Sequence, residues 1–399
     1  MARQEKPYRV YRGGRVRGGV PLRTKPARPD VTDGGDGRSR YRGPSKPVRE
    51  RKRWGWRRRI GVGLAALVVL FLVWSVAGYL SFSGGVGAAN KRVSPATKAA
   101  LDSQNGLLLS HATDILLLGT DHSSSNARAS DRHSDSIMLV RTDPSHHRIV
   151  YLSIPRDLRV PIPGHGDSKI NAAFQIGGPA LAIRTIRHFT GLPVHHVVTV
   201  DFGSFKQLID DIGGIEVNVP ENILSNRFDC PYASQARCAR WPGWRFHKGV
   251  QHMNGQRALI YSRIRENRLN PSESDVTRAE RQQRVVQATL HKLSSFSTFL
   301  SAPFKAGKYM RPLSTDLSAW QLVQLGWVYK RAAGSRAYHC RLGGSASSVG
   351  GESVIVPTQE NIAVVHMVKG DSAPQPPPPG SGPYGPGCVV GDSSIGAGR

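Results

Sequence analysis

Three groups of residues in this 399-residue chain have types and spacings suited to handling phosphate. Asp121 follows the apolar run 115–118, Asp135 precedes the run 137–140, and Arg156 and Asp157 follow the run 149–154. Taken as three strands running up, down and up, these runs bring all four residues to one edge of a sheet. Two carboxylates placed there can hold a hard cation such as Mg²⁺ through oxygen while a substrate phosphate completes its shell. The competing reading is loop acids that cap turns. The second group is Tyr261-Ser262-Arg263-Ile264-Arg265. Read as a strand, its period of two sets Arg263 and Arg265 on one face. Paired guanidiniums want an anion between them, unless the segment is simply an exposed basic edge. The third is DVTRAERQQRVV from Asp275. On a helix, Asp275, Arg278 and Gln282 fall within about 60° of one another, on the stripe that Val286, Leu290 and Leu293 continue. Polar groups on a stripe that becomes buried need a partner. Thr277 and Glu280 fit a capping box, which puts the first helical turn, with its free N–H groups, near Arg278. An internal Asp275–Arg278 pair is the alternative.

Several arginines beside two metal-type acids suit a diphosphate better than a carboxylate or a sugar. Phosphoryl transfer asks the protein mainly for charge neutralisation and positioning. Other chemistries lack their residues. There is no G-x-S-x-G elbow, no P-loop, no H-E-x-x-H and no C-x-x-C. Most of the histidines read as surface or loop residues, although His133, between Arg132 and Asp135, is placed to line the site.

The elements that must position these residues alternate between strand and helix. Runs at 115–118, 137–140, 149–154, 197–200, 215–219 and 259–265 read as strands. Helices are expected at 179–190, stopped by Gly191, at 205–212, and after Asp275. This order predicts an α/β fold, an α/β/α sandwich around a central mixed sheet.

Outside that domain the composition changes. Met1 to Arg59 holds 20 Lys/Arg against 5 Asp/Glu, about +15 of the formal +27. It is too polar to bury a core and reads as a disordered basic tail. Residues 60–80 carry no charge and are long enough to cross a bilayer. Arg57, Arg58 and Arg59 abut the run, so the positive-inside rule predicts a cytoplasmic N-terminus and an extracytoplasmic domain. A cleaved signal peptide is the rival reading, but its apolar core would be shorter. The expected organisation is therefore a tail at 1–59, a transmembrane helix at 60–80, a linker at 81–110, a folded domain at 111–370, and a Pro/Gly-rich, unpacked tail at 371–399. Cys230, Cys238, Cys340 and Cys388 all follow the apolar run, which suggests disulfides. Three pairings are possible, among them a short loop at 230–238 and a tether at 340–388.

Six segments together, ILLLGTD, SDSIMLVRTD, LSIPRDLRVPIPGHGDSKINAAF, VDFGSFKQLIDDIGGIEVNV, MNGQRALIYSRIR and DVTRAERQQRVV, resemble the LytR–CpsA–Psr family in order, over most of 113–295. The composition hints at an actinobacterial source. The resemblance implies an α/β/α sandwich with an apolar tunnel for a polyprenyl chain. It implies a phosphotransferase that moves a glycopolymer, teichoic acid among the candidates, from its polyprenyl diphosphate carrier to a peptidoglycan hydroxyl, with Mg²⁺ or Mn²⁺. Residue by residue, Asp121 and Asp135 match the metal-binding acids and Arg156 matches a diphosphate contact. Arg263 and Arg265 match paired phosphate clamps, and Asp275, Arg278 and Gln282 match the helix that closes over the diphosphate. Lys169, in KINAAF, is a further expected contact. Arg156, Arg263, Arg265 and Asp275 are thus the expected catalytic residues.

The pattern departs from many relatives at His133, which stands where they carry Arg, so the phosphate contact falls to Arg132 or Arg128. The segment 229–244, with two Cys and two Trp, reads as a stapled surface loop. The expected partners are the polyprenyl-diphosphate glycopolymer, peptidoglycan and the membrane, with no specific nucleic acid. Two other functions compete: a membrane-anchored transcription attenuator acting through the basic tail, and a non-catalytic polyprenyl-diphosphate binder. The first predicts salt-sensitive DNA binding by the tail. The second predicts binding without turnover.

Overall fold

The computed structural model describes residues 55–121, 133–264, 266–270, 275–332 and 337–391. The basic tail before Gly55, Arg128, Arg132, Arg265 and the last eight residues lie outside them. So do the side chains of Asp121, His133, Asp135 and Asp275.

Helix α1 (Trp56–Lys91) is followed by α2 (Pro95–Ala100), whose N-cap Ser94 accepts from the Thr97 N–H. Next come β1 (Thr113–Asp121), β2 (His133–Asp143), β3 (Arg148–Ile154), the hairpin β4 (Arg159–Ile162) and β5 (Gly166–Lys169), and α3 (Ile170–Thr190). The chain continues through β6 (His196–Asp201), α4 (Phe202–Asp211), β7 (Ile215–Val219), β8 (Ile223–Leu224), α5 (Gln235–Arg240), β9 (Arg245–Phe246) and β10 (Gly249–Met253). Then follow α6 (Gly255–Arg263), α7 (Asp275–Leu293), α8 (Phe296–Tyr309), β11 (Leu313–Thr315) and α9 (Ala319–Ala332). The last elements are β12 (Ala337–Arg341), β13 (Gly344–Val349), β14 (Glu352–Pro357), α10 (Glu360–Lys369) and β15 (Gly387–Val390).

The main sheet has seven strands in the order β11-β6-β1-β2-β3-β12-β15. The β1–β2 and β2–β3 pairs are antiparallel, whereas β1–β6 and β3–β12 are parallel, so the sheet is mixed as expected. Its central strands are apolar on both faces. Leu116, Leu118, Ile137, Leu139, Val150 and Leu152 face a core shared with α3 and α10. Leu117, Met138, Val140, Ile149 and Tyr151 face the other side, against Val286, Leu290 and Tyr329 of α7 and α9. Successive side chains point to opposite faces of a strand, so such runs demand cover on both sides, and helices supply it. A second core gathers Leu208, Ile209, Val217, Met253, Ala258 and Tyr261 from α4, β7, β10 and α6.

Four local expectations need correction. Residues 255–263 are a helix, not a strand. Asn254 caps it by accepting from the Arg257 N–H at 2.9 Å, and Ala258, Tyr261 and Ile264 bury themselves at helical spacing in the second core. Arg263 therefore does not sit on a strand face, and Arg265 lies outside the described residues. Helix α7 begins at Asp275, so Thr277 lies inside it and is not its cap. The stretch after residue 80 is no linker at first: α1 runs unbroken to Lys91, and Val86 and Ala89 are buried against Met310 and Ala319. The helix predicted at 179–190 is borne out as the second half of α3, which is broken at Gly177 and Gly178 and capped by Gly191 in a left-handed conformation. The Pro-rich end is not unpacked. β15 pairs with β12, and Cys388 is bonded to Cys340 across that pair. The other disulfide joins Cys230 and Cys238, which decides among the three pairings.

Candidate active site

The site forms where β1, β2 and β3 end together. In the β1–β2 ladder Gly119 faces Ser136 while Thr120 faces Ser134, so Asp135 is the extra residue of a β-bulge. Asp121 faces His133 at the same end. Bulges re-aim side chains and recur beside active sites, and this one sits at an acid already singled out by spacing. A third acid at this end, Asp201, is committed elsewhere: it caps α4 by accepting from the Ser204 N–H at 2.9 Å.

Beyond β3 the Pro155-Arg156-Asp157 turn is pinned by its backbone. The Leu158 N–H bonds the Pro155 carbonyl, the Asn171 N–H bonds the Arg156 carbonyl, and the Ile355 N–H bonds the Asp157 carbonyl. The Asp157 carboxylate accepts from Arg156 Nε at 3.3 Å and lies 3.6 Å from Lys169 Nζ. Lys169 also faces Glu352 at 3.7 Å. Asp157 therefore aligns two cations.

Helix α7 forms the opposite wall. Arg278 is buried, and Ser136 Oγ of β2 donates to Gln282 Oε1 at 2.9 Å. One residue on, Gln283 Nε2 donates to Ser153 Oγ at 2.9 Å and to the Cys340 carbonyl at 3.3 Å, while His339 Nδ1 donates to Gln283 Oε1 at 2.9 Å. A buried amide that satisfies groups on β3 and β12 fixes the helix over the sheet. Arg281 Nη2 donates to the Ile264 carbonyl at 2.6 Å and so ties the end of α6 to α7.

Between these walls is a pocket of about 70 Å³ lined by, among others, Ser136, Arg156, Arg278, Gln282, Arg341 and Tyr384. Arg341 is nearly inaccessible, at 1% exposure. Burial pulls its guanidinium down to about 10, opposed by the charge of Glu280, so it stays protonated at neutral pH. Three guanidiniums on one small pocket match a multiply charged anion with several acceptor oxygens, which is what a diphosphate offers.

The structure thus brings Arg156, Arg278 and Gln282 together, and joins Lys169 to them through Asp157. Arg263 does not line the pocket; it is exposed at the end of α6. Asp121, Asp135 and Asp275 are placed by their backbone alone, and Arg132 and Arg265 lie outside the described residues. Sequence reasoning missed Arg341 and Tyr384. The available signal was a charged residue inside the short buried run around Cys340, where only a functional or paired arginine is tolerated.

The LytR_cpsA_psr family profile matches residues 79–368. A polyisoprenyl-teichoic acid–peptidoglycan teichoic acid transferase, TagU of Bacillus mycoides, is 30% identical over 278 residues, 66% of this chain and 83% of the relative. The TagV transferase of Bacillus subtilis is 32% identical over 199 residues, which span 49% of this chain and about half, 48%, of that protein. Among solved structures, B. subtilis TagV is 27% identical with a TM-score of 0.54, covering 65% of this chain and 97% of that one. A structure of TagT bound to LIIa-WTA has a TM-score of 0.52 at 24% identity, covering 67% of this chain and 93% of that one, a likeness of fold.

Proposed function

This chain belongs to the LytR_cpsA_psr family, and from that premise we propose that it transfers a glycopolymer from a polyprenyl diphosphate carrier to a peptidoglycan hydroxyl. The observation that carries the reading is the convergence of Arg156, Arg278 and Arg341 on one pocket beside Gln282. The teichoic acid transferases to which the chain is similar support the class of substrate.

In the proposed reaction the acceptor hydroxyl oxygen attacks the sugar-bearing phosphorus. A phosphodiester P–O bond forms, the P–O bond to the bridging oxygen breaks, and polyprenyl phosphate leaves. The hydroxyl proton passes to a solvent water as the new bond forms. Arg278 and Arg341 neutralise the non-bridging oxygens and the charge that grows on the leaving group, which stabilises the transition state more than the bound substrate. Arg156, held by Asp157, orients the diphosphate, and Gln282, held by Ser136, donates to it through its amide. Asp157 is already engaged by Arg156 and Lys169, so its role is positioning.

A divalent cation is part of this proposal. Asp121 and Asp135 end neighbouring strands, Asp135 on the bulge, and offer the hard oxygen donors that Mg²⁺ or Mn²⁺ prefers. Such an ion would supply further positive charge to the diphosphate. The apolar segment of α1, preceded by Arg57, Arg58 and Arg59, supports a single membrane span with the N-terminus in the cytoplasm and the pocket outside.

The test supplies the purified full-length chain with a polyprenyl-diphosphate sugar, Mg²⁺ and a muramic-acid glycan. Mass spectrometry then looks for the phosphodiester product and released polyprenyl phosphate. Product from the wild type, and loss of it with Arg156→Ala and Asp135→Ala, is the expected result. Lipid binding without any release of polyprenyl phosphate would replace the transferase with a binder.

A further inference from the structure

Helices α8 and α9 carry large apolar side chains that are exposed among the described residues. On α8 these are Phe296, Leu300 and Phe304; on α9 they are Trp320, Val323 and Trp327, all between 45% and 78% exposed. They are not scattered. At about 100° per residue, Phe296, Leu300 and Phe304 fall within about 80° of one another, and Trp320, Val323 and Trp327 within about 60°. Each set is one stripe, and a soluble surface rarely keeps two such aromatic stripes in water.

The position of α1 indicates what covers them. Gly307 lies on the same stripe of α8 as the three exposed residues, by the same arithmetic. It is where α1 crosses: a methyl group added to Gly85 would lie 2.8 Å from the Gly307 Cα, and one added to Gly307 would lie 3.4 Å from the Ser81 carbonyl oxygen. Phe82, Val86 and Ala89 of α1 pack with Met310, Leu313, Ala319 and Leu322. Asn90 Nδ2 donates to the Leu317 carbonyl at 3.2 Å, and Arg92 Nη2 to the Met310 carbonyl at 2.9 Å. These contacts are in place by Ser81, the residue after the uncharged run 60–80, in which Gly78 is already buried and most of the apolar side chains are exposed. The docked end of α1 therefore holds α8 and the start of α9 within about a turn or two of the place where the apolar run stops.

The charged side chains on α8, on α9 and at the end of α1 have one sign. Lys305, Lys308 and Arg311 are exposed on and after α8, Lys91 and Arg92 end α1, and neither α8 nor α9 contains Asp or Glu. Aromatic and aliphatic side chains on one face with a basic fringe form the composition that seats a helix in the head-group region of an anionic bilayer.

We propose that the exposed faces of α8 and α9 are a lipid-seating surface that rests in the interfacial layer of the bilayer α1 crosses. The proposal depends on α1 being a membrane span. It gives the domain two lipid-seated helices in addition to its tether, and so sets the tilt and height of the pocket above the lipid that delivers the substrate.

All four cysteines are in disulfides, so one added cysteine is a unique thiol. Leu300→Cys, Phe304→Cys and Trp327→Cys are made separately in the full-length chain, with Leu70→Cys on α1 and Ile362→Cys on exposed α10 as references. Each is labelled with a nitroxide and reconstituted in vesicles of equal parts phosphatidylcholine and phosphatidylglycerol. The readout is the ratio of collision rates with oxygen, which partitions into lipid, and with a water-soluble nickel chelate. Ratios at 300, 304 and 327 several-fold above Ile362→Cys, and below Leu70→Cys, are expected. Values equal to Ile362→Cys, with Leu70→Cys still in lipid, overturn the proposal and leave the span intact. A Leu70→Cys label that behaves like Ile362→Cys overturns the span and the proposal together. Shielding of 300, 304 and 327 from both reagents means a protein partner covers the face, and also overturns it.

Discussion

Arg341 donates twice to one acceptor, with its Nη2 2.7 Å and its Nε 3.1 Å from the Gly385 carbonyl oxygen. The neighbouring Cys340 is bonded to Cys388, three residues beyond Gly385. A guanidinium of the pocket wall is thus clamped by the C-terminal segment through a forked hydrogen bond and, one residue away, a covalent one. Arg341→Lys keeps the charge but loses the fork. Losing a charge-assisted hydrogen bond in a buried site costs about 1.5–3 kcal/mol, so release of polyprenyl phosphate should fall by about tenfold or more. A rate within twofold of wild type would make Arg341 a clasp for the tail and nothing else.

The two disulfides close loops of unequal length, with separations of 48 residues for Cys340–Cys388 and 8 for Cys230–Cys238. Loop-closure entropy predicts stabilisation of about 4 kcal/mol for the first and about 2.5 kcal/mol for the second. Cys388→Ser should lower the thermal midpoint more than Cys238→Ser. It should also reduce activity, because Tyr384 and the Arg341 clamp depend on the same segment. Equal shifts in the two variants would show that the tail's other contacts hold it without the bond.

Gln282 is nearly isosteric with Glu, and its Oε1 already accepts from Ser136. Gln282→Glu places a carboxylate on a pocket wall shared with Arg156, Arg278 and Arg341. The new charge competes with the diphosphate for those cations. Affinity for a polyprenyl diphosphate, read by equilibrium binding, should drop at least tenfold, or about 1.4 kcal/mol, while the thermal midpoint holds or rises. Unchanged affinity would remove Gln282 from the binding surface.

At the opposite end of β1, Asp114 is fully buried against Arg141, whose Nη1 donates at 2.6 Å. Burial pushes its carboxyl up to about 6 from 3.8, against the lowering pull of Arg141. A folded-state value above the unfolded one means that the folded state holds the proton longer. This residue's contribution to stability is therefore fully present below about pH 4 and declines as pH rises towards about 6, by about 2–3 kcal/mol in all. Subtracting the pH profile of Asp114→Asn from that of the wild type in chemical denaturation should expose the decline. A difference that grows more favourable to the wild type with rising pH would show that the Arg141 pair outweighs burial.

Because α1 meets α8 at backbone distance, Gly85→Val should force the two helices apart. The expected result is a lower thermal midpoint for the full-length chain, and easier proteolysis between residues 91 and 113, than in a Gly61→Val control, where nothing lies near the added group.

The central strands were legible because the pattern is redundant. Residues 115–118, 137–140 and 149–154 are apolar at both parities, which suits a strand covered on two faces and little else at that length. The second half of α3 was legible from Gly191, whose left-handed conformation stops it. Helix α6 was not. Leu259 to Arg265 alternates well enough for a strand, and what tips it to helix is the Asn254 cap and the fit of Ala258 and Tyr261 into a core whose other residues come from α4, β7 and β10. The site divides similarly. Arg156, Arg278 and Gln282 were visible in their segments, but Arg341 lies far along the chain from all three.

By itself the sequence determined what depends on local order: the apolar run that becomes the exposed part of α1, the strands of β1 to β3, and the residue types that can meet a diphosphate. Tertiary structure decided what depends on contacts between distant segments. These are the bulge at Asp135, which needs β1 as a ruler; the cysteine pairing; the return of the Pro-rich end to the sheet edge; and the guanidinium that the end clamps in the pocket. Hydrophobic period and turn chemistry act over a few residues and can be read along the chain. Burial of a charge and closure of a long loop are settled only when segments far apart in the chain occupy the same space.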